Sequence, residues 1–482
     1  MQAHSCTAAR THTLYVLRAR PGRLCASGQA GLGIFASGFA KPGRNPDPVA
    51  MASAHPNRPR PPAMLLLLAL LQFSLGASKI NCATPPDNST DVLWLQAFKH
   101  GITSDPSGWF SSWNSSANHC MCSSSIGNLT FLRTLNLSKN SFSGRLPPLN
   151  HLQKIQVLDL SSNRLHDSIP DAITNCSSLR KIRLTTNFLA GEIPPKVGLL
   201  SNLILLGLSD NDLTGTIPPI LGNITSMQRL GVSYNNLTGR IPDELGKLTN
   251  MWRLLLGGNS LSGGFPRCLF NLSNSLQILG LESNMLSKEL PPNMGDDLPN
   301  LQMLSLHDNM FEGQIPASLG NATWLEEFAL GNNNLTGTVG EWIGKLTQLR
   351  VLFLYANSFI GPLPSSLGQL AQLEELNLGN NNLTGPIPPL GQLTQLEELS
   401  LANNKFEGPI PLLDQLTQLT YLNLGNNKFG GSIPPTLGNL QQLSYLDLSQ
   451  NNLEGNIPIQ LSSLTSLYKL NLSSNKLTGK IS

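Results

Sequence analysis

Three pairs of adjacent glutamates, Glu326-Glu327, Glu374-Glu375 and Glu397-Glu398, are the residues of this chain best suited to acid–base work. In a glycosidase two carboxylates face each other across a sugar, one donating a proton while the other attacks or activates water. Here the pairs recur at matching places in a repeated pattern. They therefore stack on neighbouring strands of an open sheet and read as a solvated acidic stripe. The eight histidines are scattered, with His307 alone on an expected strand face. The sequence contains no G-x-S-x-G, no H-E-x-x-H and no phosphate-cradling glycine loop. His119, Cys120 and Cys122 offer metal-type donors, but no second ligand pair follows at zinc spacing. We therefore expect no enzyme, no cofactor and no metal. The chemistry that remains is recognition.

Arginine and aromatic side chains are the usual anchors of a binding surface, and here they are ordered along the chain. Arg180, Lys181, Arg183, Arg229 and Arg253 come first and the glutamate pairs come later. Aromatics lie between and beyond: Tyr234 and Trp252, then Phe353 and Tyr355, then Tyr421, Tyr445 and Tyr468. Two readings stand at this stage. Tyr234, Trp252, Arg253, Phe353, Tyr355, Glu374, Glu397 and Tyr421 line a ligand site, or the exposed rings are simply good strand formers.

What must position these residues is a repeat. The template L-x-x-L-x-L-x-x-N recurs fifteen times, with its asparagine at 140, 163, 187, 211, 235, 259, 284, 309, 333, 357, 381, 404, 427, 451 and 475. The step averages about 24 residues, inside the leucine-rich-repeat range. The L-x-L alternation predicts a short strand with one buried face, paired in parallel with its neighbours. The asparagine falls where the chain turns inward, and its amide can satisfy backbone groups that the turn removes from water. No unit can bury its own leucines, so neighbours must stack. L-x-G-x-[IL]-P follows, as in Leu383–Pro388, where glycine permits a tight bend and proline opens a short helical turn on the outer side. Asp167 and Lys288 replace that glycine, and "LTGTVGEW" lacks the proline. The steps into Asn284 and Asn309 are one residue long. Local irregularity is expected at these places, with no break in the stack. The fold class is an α/β solenoid: a right-handed arc with a parallel concave sheet and short helical turns on its convex side. The x positions beside L-x-L project into the hollow.

Composition agrees with an extracellular surface. Charged residues are 13% of the chain, about half the usual share, and Asn, Ser, Thr and Gln take their place. A net charge of +3 gives no bulk attraction for nucleic acid. Residues 1–50 are basic, with Asp47 as their one acid, and read as a transit-type leader or as sequence upstream of the true start. Met51 then opens a secretory signal over 51–78: Arg58 and Arg60, the apolar run Met64–Leu71, and a small-residue exit at Gly76-Ala77-Ser78. That run is too short to span a bilayer, so no membrane span is expected. Twelve N-x-[ST] sequons fit this route: Asn88, Asn114, Asn128, Asn136, Asn175, Asn223, Asn236, Asn271, Asn321, Asn334, Asn382 and Asn471. Only Asn136 and Asn471 project from concave strands, which leaves the middle of that sheet free of glycans.

The L-x-G-x-I-P variant with this step resembles plant-type leucine-rich repeats. Residues 91–122 resemble the N-terminal cap of plant leucine-rich-repeat receptor kinases. Leu93, Leu95, Phe98 and Ile102 give its helix face, and Asp105-Pro106-Ser107-Gly108 with Trp113-Asn114 its middle. Cys120-Met121-Cys122 departs from the closing motif of that cap, so the domain at 79–122 is expected to be incomplete. Cysteines two apart are poorly placed to bond each other; a pairing of Cys82 with Cys120 or Cys122 is expected, unassigned between the two, and with five cysteines in the mature part at least one stays unpaired. Cys176 reads as a buried filler. The repeats occupy 123–482, and the array is expected to be truncated after Ser482. The resemblance implies the extracellular domain of an immune-type receptor kinase, lacking span and kinase, that binds a peptide or protein on its concave face and recruits a co-receptor kinase. A secreted inhibitor of cell-wall hydrolases, of the polygalacturonase-inhibitor kind, and a non-functional fragment are the alternatives.

Overall fold

The computed structural model describes residues 131–146, 149 and 152–480. The leader, signal, cap, first three sequons and Cys82, Cys120 and Cys122 lie outside these residues. Among the described residues, fifteen three-residue strands pair in parallel, each with the next in chain order, from Thr134–Asn136 to Lys469–Asn471. The register never slips: Leu158 pairs with Ile182, Leu206 with Leu230, and Phe328 with Leu352. Every strand but the first and last, which have a neighbour on one side only, buries its central residue and turns its two flanking residues to the inner face. The period-2 pattern of L-x-L demands this.

Burial confirms that the leucines close the core between units. Leu393, Leu396, Leu399 and Leu401 of unit 12 are all 0% exposed, as are Phe406 and Phe429, whose rings stack at 6.2 Å. Each fully buried side chain of this size contributes roughly 1.5–3 kcal/mol. The stack is therefore held by contacts between neighbouring coils.

The asparagines form the ladder that their chemistry predicts. Asn187 donates from Nδ2 to the carbonyls of Leu160 one coil earlier and Leu184 in its own coil, both at 3.1 Å. Its Oδ1 accepts from the Leu165 amide at 3.0 Å. The same set recurs at Asn211, Asn235, Asn333, Asn381 and Asn451. In nearly every unit the residue just before the asparagine is left-handed, from Lys139 at φ 57° to Ser474 at φ 56°.

The L-x-G segment is more than a bend. It forms a second set of parallel strands, four from Ser143–Arg145 to Asp212–Thr214 and eleven from Thr238–Gly239 to Lys476–Thr478, among the described residues. The glycine sits inside or just after these strands at positive φ, 76° at Gly191 within Phe188–Glu192 and 77° at Gly215 just beyond Asp212–Thr214. Asp167 and Lys288 keep that conformation at φ 64° and 73°, so the stack continues at a local cost.

On the outer side, proline opens 3-10 turns as expected: Pro218 precedes Pro219–Asn223 and Pro434 precedes Pro435–Asn439. Gly340 replaces proline in unit 10, yet Glu341–Lys345 still turns. The two long steps are absorbed here, by a six-residue turn at Arg267–Leu272 and an α-helical turn at Met294–Asp297. The turn glycine has a packing role. A β-carbon on Gly222 would lie 2.3 Å from the Glu244 carbonyl oxygen of the next coil.

Candidate functional site

The inner face presents three columns of side chains, six, four and two residues before each ladder asparagine. The column at minus four reads Gly207, Gly231, Leu255, Gly280, Ser305, Ala329, Phe353, Asn377 and Ser400. Phe353 closes the strand Val351–Phe353, with Ala329 and Asn377 as its register neighbours. Tyr355 follows at minus two, between Gly331 and Gly379 in the adjacent units. The two rings meet edge to face at 6.2 Å. They rise from a floor of small residues, and the Tyr355 ring lies across Gly331, where a β-carbon would come within 2.4 Å of it. Burial, with Asp308 nearby, pushes the Tyr355 hydroxyl up to about 12.

Tyr234 lies five units earlier, in the unit that carries Arg229, and not on a strand. It occupies the left-handed turn position before Asn235, at φ 54°, a conformation that disfavours large side chains by about 1–2 kcal/mol. Its ring rests on Gly258, and burial together with Glu282, Asp210 and Asp308 pushes its hydroxyl up to about 12. Asp308 thus acts on both tyrosines. It is held by His307 Nδ1 at 2.8 Å and Asn332 Nδ2 at 2.6 Å.

Other expected residues are spread along the arc. Trp252 precedes the strand Arg253–Leu255, and its ring lies 5.5 Å from the Arg229 guanidinium. Glu374 and Glu397 precede their strands as well. Glu374 is not a free carboxylate: Arg350 grips it through Nε and Nη2 at 2.6–2.8 Å. Glu397 is exposed. Tyr421 stacks on Tyr445 at 4.3 Å, with Lys469 4.7 Å from the Tyr445 ring, so it belongs to a separate aromatic patch near the last units. Along the face the basic residues lie on units 3 to 6, with Tyr234 among them, and the glutamate pairs of units 9, 11 and 12 flank Phe353 and Tyr355 on unit 10.

Sequence reasoning missed Glu282. It stands at minus two in unit 7 and is 4% exposed, its carboxylate laid over Gly257 and Gly280. The available signal was a lone carboxylate in a column otherwise of Ser, Thr, Gly and Ala apart from His307 and Tyr355, with glycine before it at Gly257.

Of the sequons within the described residues, Asn175, Asn223, Asn236, Asn271, Asn321 and Asn334 are exposed on turns or outer segments. Asn382 is half-buried there. Asn136 and Asn471 lie in the first and last inner strands. Cys176 is wholly buried, its thiol directed at the Leu149 carbonyl and raised to about 11 by burial. The described residues hold no cluster that could bind a metal, and no helix among them is long and apolar enough to cross a membrane.

Comparison with known proteins agrees with this architecture. Leucine rich repeat families match residues 131–151, 154–176, 202–224, 226–248, 300–322, 323–383, 371–414 and 417–477. The leucine rich repeat N-terminal domain matches residues 88–124. The chain belongs to the leucine-rich-repeat family, with an array of the type found in the extracellular domains of plant receptor kinases. The leucine-rich repeat receptor-like protein kinase PXC2 of Arabidopsis thaliana is 35% identical over 132 residues, 21% of this chain and 14% of the kinase. The ectodomain of the Arabidopsis receptor kinase HAESA, solved with an extended IDA peptide hormone, is 36% identical with a TM-score of 0.69 over 74% of this chain. The plant peptide hormone receptor RGFR1, solved with RGF2, is 30% identical with a TM-score of 0.55, over 72% of this chain and 67% of the receptor. The match spans 60% of the HAESA ectodomain and a seventh of PXC2, so this chain corresponds to part of each.

Proposed function

We propose that this chain is an extracellular, receptor-like binding protein that takes a peptide along its inner face, across units 5 to 12. The observation that carries the reading is the Phe353–Tyr355 pair. Two aromatic rings stand at 6.2 Å on a surface otherwise floored by Gly331, Ala329, Asn377 and Gly379, which leaves a hollow on either side. Rigid rings beside open backbone suit an extended peptide, because they offer apolar area at little entropic cost. HAESA and RGFR1 were each solved with a peptide hormone, which supports the same class of ligand here. The basic and acidic ends of the face then set the direction in which the peptide lies. A secretory signal at 51–78, glycans on the outer turns, a role in plant defence and a co-receptor kinase as partner belong to this reading.

The test is a binding screen of the secreted chain against synthetic plant and microbial peptides and, separately, cell-wall hydrolases. A peptide held by the wild type and lost in Phe353→Ala/Tyr355→Ala supports the proposal. Capture of a hydrolase with no peptide bound would replace it with the inhibitor reading.

A further inference from the structure

Four buried side-chain polar atoms lack a hydrogen-bond partner among the described residues, and three of them share the inner face of units 5 to 7. They are Arg229 Nε, Ser233 Oγ and Glu282 Oε2. Folded proteins leave few such atoms, because each forgoes its water without compensation. Their grouping therefore marks a place where a partner is expected.

The geometry is built for one. Arg229, Gly231 and Ser233 alternate on the same face of one unit, with the glycine leaving the middle open. Gly257 continues the Ser233 column, and Glu282 comes next. The Glu282 carboxylate occupies room that only glycine allows: β-carbons at Gly257 and Gly280 would lie 2.2 Å from Oε1 and 2.9 Å from Oε2. Nearby Asp308 is already satisfied by His307 and Asn332. Glu282 Oε2 has no such partner; burial raises the carboxyl's pKa and outweighs its own backbone N–H, His307 and Ser305, which lower it.

We propose that Glu282 is the subsite for a cationic group of the bound peptide, a guanidinium or ammonium that donates to Oε2. This rests on the peptide-binding reading above and names one residue type the peptide must carry. A cation is favoured over a neutral donor because it offsets the desolvated charge as well as completing the hydrogen bond. The donors Ser233 Oγ and Arg229 Nε are then met by backbone carbonyls of the same extended segment. Tyr234, whose ring lies over Gly258 and whose hydroxyl feels the Glu282 charge, borders this subsite.

The probe is Nα-acetyl-L-arginine amide, with the uncharged isostere Nα-acetyl-L-citrulline amide as control, titrated into the full secreted chain and read by thermal shift. The arginine compound should raise the wild-type Tm saturably and the citrulline compound should not. Glu282→Gln should weaken the apparent affinity about tenfold or more, the scale of a charge-assisted hydrogen bond. Free Glu282→Gln should melt higher than the free wild type, since an unpaired buried charge has been removed. Equal shifts in wild type and Glu282→Gln, or a lower Tm for the free variant, would overturn the proposal by making Glu282 structural. A peptide that needs Phe353 and Tyr355 but is indifferent to Glu282→Gln would remove this inference alone. Arginine-amide binding with no peptide bound would remove the broader reading alone.

Discussion

Asn333 donates from Nδ2 to the carbonyl of Leu306, 3.1 Å away in the preceding coil, and to Leu330 in its own coil at the same distance. Its Oδ1 accepts from the Phe311 amide at 2.9 Å. One side chain thus closes three backbone groups that the inward turn has taken from water. Asn333→Ala leaves them buried and unpaired, at about 1–3 kcal/mol for each group that water cannot reach. We expect a drop of about 3 kcal/mol or more in denaturant unfolding, with hydrogen exchange accelerated first in units 8 and 9.

Lys288 holds the φ of 73° that glycine holds in most other units. A lysine there costs about 1 kcal/mol relative to glycine. Lys288→Gly should raise stability by roughly that amount, less the entropy that glycine adds to the unfolded chain. Thermal melts of the two proteins check this.

Gly222 faces the carbonyl oxygen of Glu244 in the next outer turn, with no room for a β-carbon. Gly222→Ala must push two coils apart. The expected loss is about 1–3 kcal/mol, the range for overpacked interiors, measured by denaturant titration. Half-buried Gly391, whose β-carbon would meet nothing nearer than 4.0 Å, is the control and should tolerate alanine.

Asp308 is raised by burial, but hydrogen bonds from His307 and Asn332 outweigh this and leave it below the ordinary carboxylate value. A depressed folded pKa gives stability that is present above the unfolded value near 4 and lost as pH falls through the folded one. Asp308→Asn should therefore destabilise the chain at pH 7 by about 1 kcal/mol, and the difference should shrink as pH falls below the unfolded value near 4 and on through the folded one. Glu282 has the opposite sign. Its raised pKa removes stability as pH climbs, so the advantage of Glu282→Gln should be larger at pH 7 than at pH 4.

The stack was legible in the sequence because its period is carried by residues with a single physical role. Leucine at fixed spacing must be buried, and an asparagine after it must cap. Asp167 and Lys288 were legible as departures for the same reason, and the structure keeps them in the glycine conformation. The second sheet was not, because Leu-Thr-Gly reads locally as a breaker. Only the neighbouring coil, pairing Gly361 with Leu383, makes it a strand. By residue type Tyr234 groups with the other ligand-site aromatics, yet its place one residue before the asparagine puts it in the turn. Glu374 read as an exposed acid because its partner Arg350 is 24 residues away in sequence and one coil away in space. Glu282 was hidden by the same folding of distance.

The claim that the inner face is the working surface is tested most directly by mapping where a bound peptide lies. A photo-crosslinkable version of any peptide from the screen, bound to the secreted chain and digested, should label residues beside Phe353, Tyr355 and Tyr234. Labels confined to the outer turns, such as Pro219–Asn223 or Pro435–Asn439, would contradict the account.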